Sequence, residues 1–174
     1  MIFLTNQGRR ISAHPHLNFV IILNPHNGPG ESLLPDECYS REISRLNAHE
    51  SVCTVGYVRV DYGKQPLTTV CEEIARYAGW SQDYASKGLG VHGIFFDETP
   101  NLYTPEIAAY LNAVSQNVKN TSGILGRRLV SSIFPLYTKF SIEWDIAAPL
   151  YPFYGGSCME VCVTVQLMAT TGDP

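Results

Sequence analysis

Positive charge is scarce in this sequence, and no region concentrates it. Twelve Lys and Arg residues stand against sixteen Asp and Glu residues, which gives a formal net charge of −4. The only adjacent basic pairs are Arg9-Arg10 and Arg127-Arg128. A surface that binds nucleic acid or an anionic membrane needs clustered Lys and Arg side chains. We therefore expect no nucleic-acid partner and no polybasic membrane-binding surface.

Long apolar runs are also missing. No run reaches the roughly 18 residues that a membrane-spanning helix needs, so we expect no membrane span. The opening residues, MIFLTNQGRR, contain too short an apolar stretch for a secretion signal, and the basic residues follow this stretch instead of preceding it. The chain as given is therefore expected to carry no export signal.

Metal-binding and nucleophile motifs are absent as well. The five cysteines are irregularly spaced, and Cys158 and Cys162 have no second pair that would complete a zinc site. No two histidines have metal-ligand spacing, and there is no Gly-x-Ser-x-Gly elbow. The sequence predicts no metal and no cofactor. It favours core thiols for the cysteines, with one disulfide as an open alternative.

Apolar stretches alternate with helical ones along most of the chain. Strands are predicted over residues 17–23, 51–60 and 91–96, with less regular ones over 128–134 and 159–169. Gly56 interrupts the second strand, which indicates a bend or the close approach of other backbone. A tail of five residues, TTGDP, is expected to be disordered.

Three helices are predicted between these strands. The first begins at Asp36 and buries Tyr39, Ile43 and Leu46. Thr104 is expected to cap the third helix, with Pro105 at its first position. The second helix is predicted to bury one face consisting of Leu67, Val70, Cys71, Ile74, Tyr77 and Ala78, and the third a face of Ile107, Leu111, Val114 and Val118.

The alternation predicts a fold of the α/β class, because repeated βα units form a parallel sheet with right-handed crossovers. Strand ends near residues 23, 58 and 96 give repeats of 35 and 38 residues (58−23 and 96−58). Both a doubly wound sheet and a (β/α)8 barrel fit this pattern. A complete barrel needs about 250 residues, and the pattern weakens beyond residue 135.

Two carboxylates, Asp97 and Glu98, end the third apolar stretch and precede Thr99-Pro100. Ionised acids are rarely buried without a partner, and parallel-strand ends are where α/β proteins place their chemistry. We therefore expect the active site here. The structural alternative is a pair that orders the loop or caps the next helix.

Four motifs in order resemble the spherulation-specific family 4, the spherulin-4-like cell-surface proteins of fungi and slime moulds. They are VIILNPHNGPG at 20–30, GYVRVDYG at 56–63, RYAGW at 76–80 and GIFFDETP at 93–100. The likeness runs over about residues 10–130, and residues 131–174 diverge. The resemblance implies a single TIM-barrel-like (β/α)8 domain over 1–174, incomplete in this chain. It also implies a secreted or cell-surface glycoside hydrolase whose partner is a galactosaminogalactan-like polysaccharide, with Asp97 and Glu98 as the catalytic acids.

The residues suggest how such a site would work. Adjacent strand residues point to opposite faces, so Asp97 and Glu98 share a site only if the strand ends between them. One hypothesis is substrate-assisted hydrolysis, with Asp97 orienting an acetamido group and Glu98 protonating the leaving oxygen. The alternative is a third acid from another strand, for which Glu143 is a candidate.

Four further side chains are predicted to bind the sugar. Asn24 and Asn27 lie in the rigid loop after the first strand, and each could instead simply order that turn. Tyr57 and Tyr62 offer flat faces that stack on sugar rings, whereas Trp80 and His92 are expected to be packing residues. Two other functions fit the sequence: a non-catalytic carbohydrate-binding wall protein on the same scaffold, and a doubly wound small-molecule enzyme.

Overall fold

The protein is described by a computed structural model that covers residues 11–14, 16–100, 102–125, 128–131 and 161–164. Five strands are present in these residues: β1 (Phe19–Leu23), β2 (Val52–Arg59), β3 (Gly93–Asp97), β4 (Arg128–Ser131) and β5 (Val161–Thr164). The helices are α1 (Glu37–Asn47), α2 (Leu67–Trp80), α3 (Tyr84–Lys87) and α4 (Pro105–Asn120), and two short 3-10 turns span Asp61–Gly63 and Ser81–Asp83. The TTGDP tail, for which disorder is predicted, and Glu143 lie outside the described residues.

The strands form one mixed sheet in the order β4-β3-β2-β1-β5. Strands β1 to β4 are parallel, and each pairs with the next strand in the sequence. The predicted α/β class and parallel sheet are confirmed. Strand β5 falls inside the last predicted strand but pairs antiparallel with β1, which βα repetition did not indicate.

The sheet does not close on itself in the described part of the chain. Strands β4 and β5 are its two edges and do not pair with each other. A doubly wound sheet reverses its strand order at a switch point, and β1 to β4 show no such reversal. Their sequential order is that of consecutive strands in a (β/α)8 barrel.

One face of the sheet carries the hydrophobic core. Right-handed crossovers between neighbouring parallel strands place α1, α2 and α4 on the same side. Every second residue of β1 to β3 is buried against them: Phe19, Ile21, Leu23, Val52, Val58, Ile94 and Phe96, together with the buried helix residues Ile43, Val70, Ile74, Val114 and Val118. None of the helices in the described residues is long and apolar enough to cross a membrane.

The helix ends follow the sequence closely. An Asp36 carboxylate oxygen accepts a hydrogen bond from the Tyr39 N–H at 2.8 Å, which caps α1 as predicted. The Thr104 hydroxyl oxygen accepts from the Ile107 N–H at 3.2 Å, with Pro105 at the first helical position. The prediction for Leu67 is wrong: this first residue of α2 is 38% exposed, because the opening turn lies beyond the edge of the core. The structured turns between Trp80 and Gly90 were not predicted.

Gly56 fixes how α2 sits on the sheet. A Cβ atom at this position would lie 2.7 Å from the Tyr77 ring, so the ring occupies the space that any other residue would fill. The Tyr77 hydroxyl donates to the Leu23 carbonyl at 3.0 Å. A close approach does occur at Gly56, but a side-chain ring makes it and not the backbone that the sequence suggested. Tyr77 and helix α2 cover one face of the sheet, and a different set of side chains lines the opposite face.

Candidate active site

The face opposite the helices carries polar side chains at the carboxyl ends of β2 and β3. The strand register pairs Tyr57 with Phe95 and Arg59 with Asp97. Because side chains alternate along a strand, these four residues lie on the same face. All four are half-buried. This end of the sheet is therefore partly open to solvent and lined by one acid, one base and two aromatic rings.

Asp97 is the last residue of β3, and Glu98 follows it in the left-handed region with φ 53°. The strand therefore ends between the two acids, which is the condition under which their side chains can share a site. The turn interrupts the alternation that would otherwise send their side chains to opposite faces. A non-glycine residue in this region is strained, and such strain concentrates at functional sites.

Both carboxylate oxygens of Asp97 accept hydrogen bonds. The Tyr57 hydroxyl donates to Oδ2 at 2.8 Å, and the Glu98 N–H donates to Oδ1 at 2.8 Å. Burial, followed by the hydrogen bond to Asp97, raises the pKa of Tyr57 well above its ordinary value. Tyr57 is consequently a neutral hydroxyl donor at physiological pH. Its position on the neighbouring strand holds the Asp97 side chain in place.

Glu98 is paired with Arg59, a residue that sequence reasoning missed. The Arg59 Nε donates to Glu98 Oε2 at 2.5 Å, and its Nη2 donates to Asp61 Oδ1 at 3.1 Å. Arg59 stands two residues after Tyr57 on the same face of β2. That two-residue spacing within the motif GYVRVDYG is the signal that could have identified it.

The loop after β2 is bonded to the loop after β3. The Val60 N–H donates to the Asp97 carbonyl at 3.0 Å, and the Tyr62 N–H donates to the Glu98 carbonyl at 2.6 Å. Asp61 and Tyr62 both have positive φ, 45° and 54°. The Tyr62 side chain is 56% exposed. The backbone of Tyr62 is thus fixed to that of Glu98, and the residue is exposed to solvent.

The two predicted asparagines occupy a different position. Asn24 Oδ1 accepts from the Gly28 N–H at 2.9 Å, so its side chain orders the loop after β1. Asn27 is exposed with φ 52°. Among the described residues, neither side chain hydrogen-bonds to Asp97 or Glu98. The structure bonds the Tyr57 hydroxyl to Asp97 and the Tyr62 backbone to Glu98, and it places the asparagines two strands away.

Several other predictions concern residues away from the acid pair. Trp80 is fully buried at the end of α2, which confirms it as a packing residue. His92 Nδ1 lies 3.1 Å from the Thr54 hydroxyl, just before β3. Tyr103, which was not singled out from the sequence, is 60% exposed in the loop after β3. Cys38, Cys53 and Cys71 form no disulfide bond with one another.

Comparison with known proteins agrees with this fold and its motifs. The model of the family described as spherulation-specific family 4 matches residues 7–132. The chain belongs to this family. The predicted resemblance over about residues 10–130 is thereby confirmed. No curated protein matches the chain.

One solved structure extends the comparison. The chain is similar to the crystal structure of Aspergillus clavatus Sph3 in complex with GalNAc, with 41% identity and a TM-score of 0.70. The match covers 73% of this chain and 51% of the Sph3 chain. This chain therefore spans about half the length of that relative.

Proposed function

We propose that this family member is a glycoside hydrolase that cleaves a polysaccharide containing galactosamine or N-acetylgalactosamine. The observation that carries the proposal is the acid pair, Asp97 and Glu98, which Tyr57 and Arg59 hold at the carboxyl ends of parallel strands. The complex of the similar Sph3 with GalNAc supports the choice of sugar.

The arrangement favours a substrate-assisted mechanism. The Tyr57 bond leaves Asp97 well placed to orient an acetamido group. The acetamido oxygen bonds to C1 as the C1–O bond breaks, and the leaving oxygen takes a proton from Glu98. Water then adds at C1 as the bond between C1 and the acetamido oxygen breaks, which restores the acetamido group, and the water returns a proton to Glu98. Neighbouring acids cannot approach a sugar from opposite sides, which is why the substrate is assigned the nucleophile's role.

Arg59 has a specific part in this scheme. An acid catalyst must carry a proton when it meets the substrate, and in this geometry Glu98 accepts a charged hydrogen bond. Because Arg59 is bonded to Asp61 as well as to Glu98, its guanidinium is held in place and orients the Glu98 side chain. The alternative scheme uses a third carboxylate as the proton donor, and its candidate, Glu143, lies outside the described residues.

The scaffold proposed for this activity is a (β/α)8-type barrel, of which β1 to β4 form consecutive strands. The sequential parallel order supports it. We also propose that Asn24, Asn27, Tyr57 and Tyr62 bind the polysaccharide and that the protein acts outside the cell or at its surface. Family membership supports this location.

The test is release of soluble oligosaccharides from galactosaminogalactan. We expect Glu98→Gln and Asp97→Asn to lower the rate by about 100-fold or more, in the range that general acid catalysis contributes. Glu50→Gln is the matched control, because this exposed residue precedes β2 and so lies at the amino end of the strand, away from the acid pair. Wild-type rates in Glu98→Gln, with unchanged thermal unfolding, would exclude the assignment.

A non-catalytic carbohydrate-binding protein is the second candidate. It is favoured by the fact that both side-chain carboxylates accept hydrogen bonds from their neighbours, an arrangement that suits sugar hydroxyls as well as catalysis. Retention of the polysaccharide on the immobilised protein, without release of fragments over hours, would support this candidate over the hydrolase.

A further inference from the structure

A cavity of about 590 Å³ lies between the loop after β1 and helix α2. The loop contributes most of residues 25–36, and the helix contributes Glu73 and Arg76. None of the residues predicted to bind or cleave the sugar lines it except Asn27. The cavity is therefore distinct from the acid pair at the ends of β2 and β3.

The Glu73 carboxylate has an unusual environment. Its atoms lie 3.5 Å from the position that a Cβ would take on Gly28, so the carboxylate packs directly against the loop backbone. Its Oε2 is buried and has no hydrogen-bond partner among the described residues. Burial raises the pKa of Glu73, although Arg76 partly opposes this. A buried acceptor without a donor is costly and requires an explanation.

The nearby arginine does not provide the missing partner. Arg76 Nη1 donates to the Gly30 carbonyl at 2.7 Å and so ties the loop to α2. In the described part of the chain, Arg76 forms no ion pair with Glu73. The carboxylate is thus held beside the cavity by packing, while the cation is used to hold the loop.

The cavity wall combines negative charge with apolar rings. Three carboxylates and one arginine line it, which gives a formal charge of −2 with the histidine neutral (−3 + 1). Proline rings and a leucine provide flat apolar surface, which suits the C–H face of a sugar ring. The charged residues are Glu31, Asp36, Glu73 and Arg76, and the apolar ones are Pro25, Pro29, Leu34 and Pro35.

We propose that this cavity binds a galactosamine unit with a free ammonium group, placed beside Glu73, with the sugar ring against the prolines. Because a carboxylate shares its charge between both oxygens, an ammonium group in the cavity stabilises the ionised form as a whole. An N-acetylated or neutral unit lacks this positive charge. The inference rests on the proposed function for its substrate class and adds a second binding site on the same polymer.

The experiment titrates D-galactosamine into ¹⁵N-labelled protein at neutral pH, with galactose and N-acetylgalactosamine as neutral comparisons. We expect galactosamine to shift the backbone amides of Gly28 and Gly30 in a saturable way. Glu73→Gln should weaken this binding at least 10-fold, and Glu72→Gln, an exposed neighbour on the same helix, should leave it unchanged.

A further variant separates this inference from the proposed hydrolase. Asp97→Asn should retain the galactosamine shifts at Gly28 and Gly30 even when cleavage is lost. No shift at these glycines, or shifts of equal affinity in correctly folded Glu73→Gln, would overturn the second site while leaving the hydrolase intact. Saturable Glu73-dependent shifts in a protein that never releases fragments would refute the hydrolase alone.

Discussion

The Tyr57 hydroxyl donates to Asp97 Oδ2 at 2.8 Å, from one strand to the next. Two residues further along β2, Arg59 pairs with Glu98. A single face of β2 therefore positions both members of the acid pair. Substitutions at Tyr57 and Arg59 on β2 should therefore alter the proposed chemistry while leaving both acids in the sequence.

Removal of the Tyr57 hydroxyl tests the first of these contacts. Tyr57→Phe keeps the ring and its packing against Phe95 but leaves Asp97 Oδ2 without its donor. Hydrogen bonds to charged groups contribute about 1.5–3 kcal/mol, so we expect kcat for oligosaccharide release to fall roughly 10- to 100-fold. Tyr84→Phe in α3 is the control. A kcat equal to wild type would show that Tyr57 does not position Asp97.

Arg59 provides the second test. We expect Arg59→Gln to lower the rate of release by about 10-fold or more, because Glu98 loses the group that orients it. Thermal unfolding should change little, since both partners are partly exposed and such ion pairs contribute little to stability. Arg45→Gln on α1 serves as the comparison. A large loss of stability with retained kcat would indicate a purely structural pair.

The contact between Gly56 and Tyr77 predicts a loss of stability. In Gly56→Ala the new methyl group would meet the Tyr77 ring at 2.7 Å, and overpacking of this kind costs about 1–3 kcal/mol. Urea denaturation measures the change. Gly79→Ala is the matched control, because a Cβ at this position has no atom within 4 Å. Alanine also has a higher helix propensity than glycine. Equal stability of the two variants would contradict the argument.

The buried carboxylate of Glu73 predicts a pH-dependent effect. Its pKa is raised in the folded protein. Below the ordinary carboxyl pKa of 4.5 the group is protonated in both states. As the pH rises from this ordinary pKa through the raised pKa of the folded state, the unfolded chain ionises more readily than the folded protein, and the free energy of unfolding falls. Glu73→Gln should therefore raise the thermal midpoint at neutral pH and not in acid. A difference independent of pH, or one reproduced by Glu72→Gln, would refute this.

The sequence predicted the features that depend on local signals. The caps at Asp36 and Thr104 and the close approach at Gly56 follow from the properties of single residues. The acid pair was visible because it ends an apolar run. In contrast, Arg59 acquires its role through the register between β2 and β3, and Glu73 through a loop that folds back on α2. The only signature along the chain is the two-residue spacing between Tyr57 and Arg59, and the position of Glu73 has none.

The pairing of the antiparallel strand β5 could not be predicted from the sequence either. Alternation predicted a strand within 159–169, but its direction and its pairing with β1 depend on the whole path of the chain. Likewise, Asn24 has the chemistry of a sugar-binding residue, and only the structure reveals its bond to the Gly28 N–H. Side-chain chemistry indicates what a residue can bind, and its neighbours decide which partner it meets.

The sequential order of β1 to β4 also affects how the protein is made. Each strand pairs with the one synthesised just before it, so every new βα unit finds a completed edge as it leaves the ribosome. The Tyr77 hydroxyl bond to Leu23 joins the second such unit, β2 and α2, to β1 as soon as α2 has formed. The sheet up to β4 can thus assemble in the order of translation, and the acid pair is in position before the last third of the chain has been synthesised.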